Sequence, residues 1–593
     1  MIETLQNLVE KKYIPLVLLL LVLILAAIVR FEDIANQGMN KGDSFDYLSE
    51  AKTWADGSPE FMSEPDYPEG KFYRPVSFAL QGLAVSIWGY NDYSIKILHA
   101  SFDLINIIMI FILAVIVTRG YWIGFISSLL YAFNPKIIYL ARMEMVHVES
   151  TFFLLLTTII FILAWNNEIS NLRRYILLYI SGVIGYLTFN THADLAFVII
   201  MFPCFVAFKV HQEKTGHKLQ DYFKYMGVFS FGFFSPLFLG MVIFGFERVY
   251  SIMYSEFTFH TSSTVQEQWN NSDSKLILPF KIVGFTLYYF FRNTFFVIGV
   301  LFVGNIIFFL RKVLKRDFTD ILVLFIIAQI FIYIILYTIF FNSFNSAYCR
   351  LLQPLIPLII ISTAYVFYSS VKYLSMKFRI HNWYKHIFIS AFILFFIITV
   401  KTLPGSTDFS TPYKYIYNKI GTEVNYNNKL LIAPLSVYYR DRGFSFDLYF
   451  GNNAIYEVLI NPDTISTDVS LTEILDSYPI KYIFLSRYLD KRNFTPDYPF
   501  NSITIPKWEK YFDYKYELDK DLHMLFEFFK SKNTLMVDSS KHGYLYKISQ
   551  NPLIEKNGET KELKIPRLEQ ADKYYREEDS KLVSWLKSFI IDY

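Results

Sequence analysis

Cysteine is nearly absent from this chain. Its 593 residues include two, Cys204 and Cys349, both in or beside apolar runs. A disulfide framework or a thiolate zinc site needs more thiols at fixed spacing, so neither is expected. The two read as small core residues. Net charge is also close to nil, +3 at neutral pH. That basic excess is too small to hold a nucleic acid. There is no internal repeat, no low-complexity tract and no glycine-rich loop of the kind that cradles nucleotide phosphates.

What the chain has in quantity is apolar residue, 53% of the total, with 19% aromatic. Apolar runs of about twenty residues, the length of a bilayer-crossing helix, recur from the N-terminus to about Thr402. Too many of them lack the polar stripe of a soluble amphipathic helix. The expectation is a polytopic α-helical membrane protein with about eleven spans. These lie near 13–30, 94–117, 121–140, 147–165, 175–190, 194–209, 225–246, 282–310, 320–341, 350–370 and 385–403. The first run, Tyr13 to Val29, is long for a signal peptide and lacks a small-residue cleavage site, so it is read as an uncleaved span. If the spans alternate, Lys11/Lys12, Arg119, Arg173/Arg174, Lys209 to Lys224, Arg311 to Arg316 and Lys372 to Lys385 share one side. Basic residues mark the cytoplasmic side. The protein is then a multi-pass cell (plasma or inner) membrane protein, and an odd span count leaves its C-terminal segment outside.

Three regions follow. Residues 1–403 form the membrane part, and residues 31–93 within it form the first outer loop. Its Trp54, Phe61, Tyr67, Phe72 and Tyr73 suit the headgroup layer, so short amphipathic helices along the membrane are expected, with Pro75 to Trp88 interfacial or re-entrant. Near Pro404 the composition shifts, and residues 404–593 read as one extracytoplasmic α/β domain. Strands are expected at Lys429 to Pro434, Lys481 to Ser486 and Gly543 to Ser549, and helices at Leu471 to Ser477 and Leu522 to Phe529.

The residues able to carry chemistry gather on the outer side. The first outer loop contains Gly42-Asp43-Ser44-Phe45-Asp46-Tyr47-Leu48-Ser49-Glu50-Ala51. If a helix starts there, Asp43, Asp46, Tyr47 and Glu50 share a face. Asp43 then reads as a helix N-cap, as a general base for an acceptor hydroxyl, or as both. Asp46, Tyr47 and Glu50 read as helix support. At the turn between the third and fourth spans stand Arg142, Glu144, His147 and Glu149, with Glu144 and His147 expected on one helical face. Glu149 reads either as the structural ion partner of Arg142 or another span, or as part of a polar cavity. His192 and Asp194 lie in the next outer turn. Arg74 precedes Pro75, and Arg350 opens the tenth span close to Tyr348; a guanidinium suits a phosphate. His99 and Asp103 are expected to pair inside the second span. Asp43, Arg74, Arg142, Glu144, Glu149, His192 and Arg350 map to one membrane face, as a headgroup-level site for an anionic lipid phosphate requires. A carrier would place its charges near the midplane.

A short N-terminus, one span and then Gly42 to Ala51 resemble the opening of the GT-C glycosyltransferases, of the protein mannosyltransferase and lipid A aminoarabinose transferase type. The resemblance continues with Phe72-Tyr73-Arg74-Pro75, with Glu149 early in the fourth span and with Arg350-Leu351-Leu352-Gln353-Pro354. It covers residues 1–400. It implies an inverting glycosyltransferase that moves a sugar from a polyprenyl-phosphate donor to a hydroxyl of a protein, lipid or glycan acceptor. Asp43 becomes the catalytic base, and Arg74 a phosphate partner. Arg350 is assigned beside it, with Arg142, Glu144, Glu149, His192 and Tyr348 as further substrate contacts. Many relatives have Glu directly after the catalytic Asp, where this chain has Ser44. The Trp-Trp-Asp signature of oligosaccharyltransferases is missing, which disfavours en bloc oligosaccharide transfer and the metal it uses. No cofactor is expected, although a divalent ion is compatible with the chemistry. The rival expectation is a membrane carrier or flippase for lipid-linked sugars or another solute.

Overall fold

The computed structural model describes residues 13–38, 42–57, 63–64, 67–71, 74–144, 146–165, 169–192, 195–212, 218–253, 296–341, 353–377, 390, 412–425, 429–433, 454–455, 480–486, 534–540 and 543–548. The chain divides into two compact units, Met1–Tyr415 and Ile416–Tyr593.

The first unit is helical. In chain order its described helices are α1 (Tyr13–Phe31), α2 (Gly42–Ala55), α3 (Pro75–Trp88), α4 (Ser94–Thr118), α5 (Tyr121–Ala132), α6 (Pro135–Ala141), α7 (His147–Ala164), α8 (Asn171–Thr191), α9 (Ala196–Ile199), α10 (Met201–Gln212), α11 (Lys218–Phe244), α12 (Phe296–Leu314), α13 (Ile321–Phe341) and α14 (Ile356–Lys377). Among the described residues five stretches are long and apolar enough to cross a membrane: Tyr13–Asn36, Ser94–Thr118, His147–Ala164, Lys218–Phe244 and Gln353–Lys377. The exposed sides of α1 and α11 agree with this. Leu16, Val17, Leu20, Leu21 and Ile24 on α1, and Phe231, Phe238, Leu239, Val242 and Ile243 on α11, stand uncovered. A contiguous apolar face of that kind has a lipid environment as its natural solvent.

Several expected spans look different. The 121–140 run is two helices, because Pro135 lacks an N–H and disfavours a helical residue before it. Asn134 fills the break, its Oδ1 accepting from the Ile137 N–H at 3.4 Å. The 194–209 run is also split, into α9 and α10. Of 282–310 only the part from 296 is described, and 385–403 lies almost wholly outside the described residues.

Close helix crossings are set by glycine. A Cβ on Gly182 of α8 would meet the carbonyl oxygen of Phe229 on α11, and one on Gly232 would meet that of Tyr179. Small residues let backbones touch where burial from water drives nothing. In the first outer loop α2 packs on α3, where a Cβ at Gly82 would lie 2.8 Å from Trp54 Cβ. Trp54 in turn meets Phe244 of α11, ring centroids 5.9 Å apart. The loop also holds an antiparallel pair, β1 (Ser63–Glu64) with β2 (Tyr67–Lys71), which the expectation of short helices did not include. The stretch read as interfacial or re-entrant is α3, a helix with Pro75 in its first turn.

Helix α15 (Pro412–Ile420) leads into the second unit. That unit contains a mixed sheet of β3 (Lys429–Ala433), β4 (Ala454–Ile455), β5 (Ile480–Ser486), β6 (Thr534–Ser540) and β7 (Gly543–Ile548). The spatial order is β4-β3-β5-β7-β6. β3 pairs parallel with β4 and β5, and β7 antiparallel with β5 and β6. Three of these strands were expected from their alternating or apolar runs; β4 and β6 were not. The helices expected at 471–477 and 522–529 lie outside the described residues. The Tyr482 hydroxyl and then the Lys547 ammonium, 3.3 Å away, bond the Glu423 carboxylate and hold its pKa below the ordinary range.

Candidate functional site

Polar side chains are buried where α1, α4, α5 and α7 meet. Arg30 ends α1, fully enclosed. Its Nε donates to Asp103 Oδ2 at 2.6 Å, and its Nη1 to the Ala132 carbonyl at 3.0 Å. The Tyr131 hydroxyl donates to Asp103 Oδ1 at 2.6 Å. This clamp ties α1, α4 and α5 together. The expected His99–Asp103 pairing is therefore not formed: Asp103 goes to the guanidinium, which binds a carboxylate more strongly than an imidazole does.

Arg142 follows α6 and is buried. It donates to Gln37 Oε1 at 3.2 Å, to the Val29 carbonyl at 3.0 Å and to the Glu32 carbonyl at 2.7 Å. Burial lowers its pKa to about 10, opposed by the nearby charges of Asp33 and Glu32, so it stays cationic at neutral pH. The Lys96 ammonium on α4 lies 3.1 Å from Glu144 and donates to the Gly38 carbonyl. Both ends of the pair are buried. Glu144 sits in the turn before α7, not on a shared helical face with His147 as expected.

Glu149 is in the first turn of α7 and wholly buried. Its Oε1 accepts from Gln81 Nε2 of α3 at 3.0 Å and lies 2.9 Å from His99 Nε2. His99 Nδ1 is 2.6 Å from the Met143 carbonyl oxygen. Glu149 thus belongs to Gln81 and His99, and the alternative of an ion pair with Arg142 is not what the fold forms. His192, just past α8, stacks on His147 with centroids 5.2 Å apart.

The segment between α1 and α4 adds a second group. Arg74 is buried at the start of α3, its Nη1 donating to the Tyr47 hydroxyl at 2.8 Å. Tyr47 and Glu50 are both buried on α2, and Glu50 Oε1 accepts from Trp54 Nε1 at 3.0 Å. Asp43 lies one helical turn before Tyr47 on the same face. Since α2 begins at Gly42, Asp43 is a first-turn residue and not the cap. Asp46 occupies the following turn. Tyr348, Arg350 and Asp194 lie outside the described residues.

The fold therefore brings Arg142, Glu144 and Glu149 to one buried polar region, with Arg74, Tyr47 and Glu50 on the adjoining pair α2–α3. Sequence reasoning missed Lys96, Gln81 and Arg30. The signal for Lys96 was available: Lys96, His99, Asp103 and Asn106 form one stripe of α4 inside an apolar run. Among the described residues no three His, Cys, Asp or Glu side chains come together as a metal site.

Sequence comparison finds no matching protein family and no matching curated protein. Solved structures do align. The archaeal oligosaccharyltransferase AglB from Archaeoglobus fulgidus, in complex with an inhibitory peptide and a dolichol-phosphate, is 11% identical over 82% of this chain and 71% of its own, with a TM-score of 0.46. ArnT from Cupriavidus metallidurans in the apo state is 11% identical over 89% of this chain and 97% of its own, with a TM-score of 0.47. The same protein bound to undecaprenyl phosphate gives 10% identity and a TM-score of 0.43. Both are GT-C superfamily enzymes.

Proposed function

We propose that the chain is an inverting GT-C glycosyltransferase that moves a sugar from a polyprenyl-phosphate donor to an acceptor hydroxyl at the extracytoplasmic membrane face. The observation that carries this reading is the buried Arg74 guanidinium, fixed by Tyr47 on the very helix that bears Asp43 one turn earlier. On this reading the base and the phosphate-binding cation belong to two helices that pack together.

The chemistry needs no more than these parts. The acceptor oxygen attacks the anomeric carbon, and the bond from that carbon to the phosphate oxygen breaks. The electron pair leaves on polyprenyl phosphate, and the acceptor proton passes to the Asp43 carboxylate. Arg74, with Arg350, stabilises the leaving phosphate; catalysis then comes from positioning and charge. Glu149, Glu144, Arg142, His192 and Tyr348 shape the cavity or touch the sugar. No metal is assigned, so activity survives chelation. The second unit lies outside the membrane, where the acceptor protein, lipid or glycan arrives.

The test uses purified protein in lipid with radiolabelled undecaprenyl-phosphate hexoses. Release of undecaprenyl phosphate together with a glycosylated acceptor supports transfer; sugar lipid moved across the bilayer with that bond intact supports the carrier instead. Asp43→Asn cannot accept the proton, and loss of a positioned base costs about 100- to 10,000-fold in rate. Turnover of folded Asp43→Asn within a few-fold of wild type would remove Asp43 from the mechanism.

A further inference from the structure

The hydrogen bonds around Glu149 leave a specific vacancy of valence. The Met143 carbonyl can only accept, so His99 Nδ1 carries a hydrogen. The contact from His99 Nε2 to Glu149 Oε1 needs another proton. That contact therefore shares one proton between the imidazole and the carboxylate. Gln81 also donates to Oε1. Everything that holds the carboxylate holds it by that one oxygen. Among the described residues Glu149 Oε2 has no hydrogen-bond partner, nor has Gln81 Oε1, and both residues are 0% exposed. Native proteins rarely leave such atoms unmet without a use.

Both unmet atoms are acceptors, so they call for donors. Two opposite-charge pairs lie in the same region, Lys96 with Glu144 and Arg30 with Asp103, and the Arg142 guanidinium is held by Gln37 and two backbone carbonyls. His147, in the same turn of α7, stacks on His192. A hydroxyl is a donor that two such acceptors can share.

We propose that Glu149 Oε2 and Gln81 Oε1 accept hydrogen bonds from hydroxyls of the transferred glycosyl unit, with His99 as the positioning residue that turns the carboxylate. This rests on the glycosyltransferase reading and adds how the sugar is recognised. Sites that hydrogen-bond a substrate hydroxyl discriminate strongly against analogues lacking it, because their buried acceptors are then left unpaired.

The experiment is a cycle between enzyme and substrate. The undecaprenyl-phosphate hexose that supports transfer is compared with its monodeoxy analogues in wild type, Glu149→Gln and Gln81→Met. In wild type, removing the recognised hydroxyl should lower kcat/KM about 10- to 100-fold. In Glu149→Gln the same removal should cost under about threefold, because the acceptor is already gone. His99→Gln, which keeps a donor near the Nε2 position, should retain most of the discrimination, whereas His99→Phe should lose it. Should Glu149→Gln fail to fold, Gln81→Met gives the same cycle for its own hydroxyl. Infrared difference spectra on adding the hexose donor should show a carboxylate band shift that Glu149→Gln lacks, whether or not turnover occurs. Equal sensitivity to every deoxy donor in wild type and variants would mean that these oxygens hold internal water only, and would overturn the proposal while leaving transfer intact. Absence of transfer by wild type would instead count against the function itself.

Discussion

At the scale of single residues, the proposed role of Arg74 in donor binding turns on how its buried guanidinium is held. Its Nη1 donates to the Tyr47 hydroxyl, which restricts the guanidinium. Hydrogen bonds to charged groups are worth about 1.5–3 kcal/mol. Tyr47→Phe should therefore raise the donor KM by roughly tenfold or more with little change in kcat. Arg74→Ala should be worse, and Arg74→Lys intermediate as a point charge without the fork. Donor titrations read all three, and an unaltered KM in Tyr47→Phe would detach Tyr47 from donor binding. A second expectation concerns Arg142 and Glu149, which hydrogen-bond to different groups: Arg142 to Gln37 and the Glu32 carbonyl, Glu149 to Gln81 and His99. Thermal denaturation should find Arg142→Gln and Glu149→Gln additive to within about 0.5 kcal/mol; mutual rescue would mean they are a pair after all. These residues were visible in the sequence because an ionisable group in an apolar run is conspicuous. Their partners were not. His99 and Asp103 stand on one helical face, yet Asp103 turns to Arg30 and His99 to Glu149, a choice made by neighbouring helices that no local spacing encodes.

At the scale of elements, apolar length located most helices, and backbone chemistry explains where the expectation slipped. Pro135 cuts one expected span and leaves the Asn134 side chain to cap the fragment. The start of α2 moves Asp43 from the cap into the first turn. There an acid is favoured by the helix dipole by about 0.3–1 kcal/mol, so Asp43→Asn should cost the fold little. Strands β4 and β6 were missed because pairing with β3 and β7 is a long-range event. The crossing of α8 with α11 yields a sharp comparison. Gly182→Ala or Gly232→Ala forces a methyl group into opposing backbone, and overpacking typically costs about 1–3 kcal/mol. Gly227→Ala, on α11 with nothing within 4 Å of its added Cβ, should be neutral or slightly stabilising. Melting temperatures in detergent decide this; equal effects at Gly182 and Gly227 would contradict the close crossing.

For the whole molecule, the basic clusters give an expected orientation, with the C-terminal segment outside. A reporter active only in the cytoplasm, fused after Tyr593, should stay silent; activity there would invert the orientation and move the proposed site to the other face. The α8–α11 crossing also bears on how the protein is made. Helix α8 carries Arg173 and Arg174 in its first turn and is not among the five stretches that qualify as spans by length and hydropathy. The helix whose backbone locks against it is synthesised later, after α9 and α10. While the ribosome is still translating that interval, α8 has a groove shaped for a partner that does not yet exist. The close backbone contact that fixes α8 therefore forms only after α11 has been synthesised.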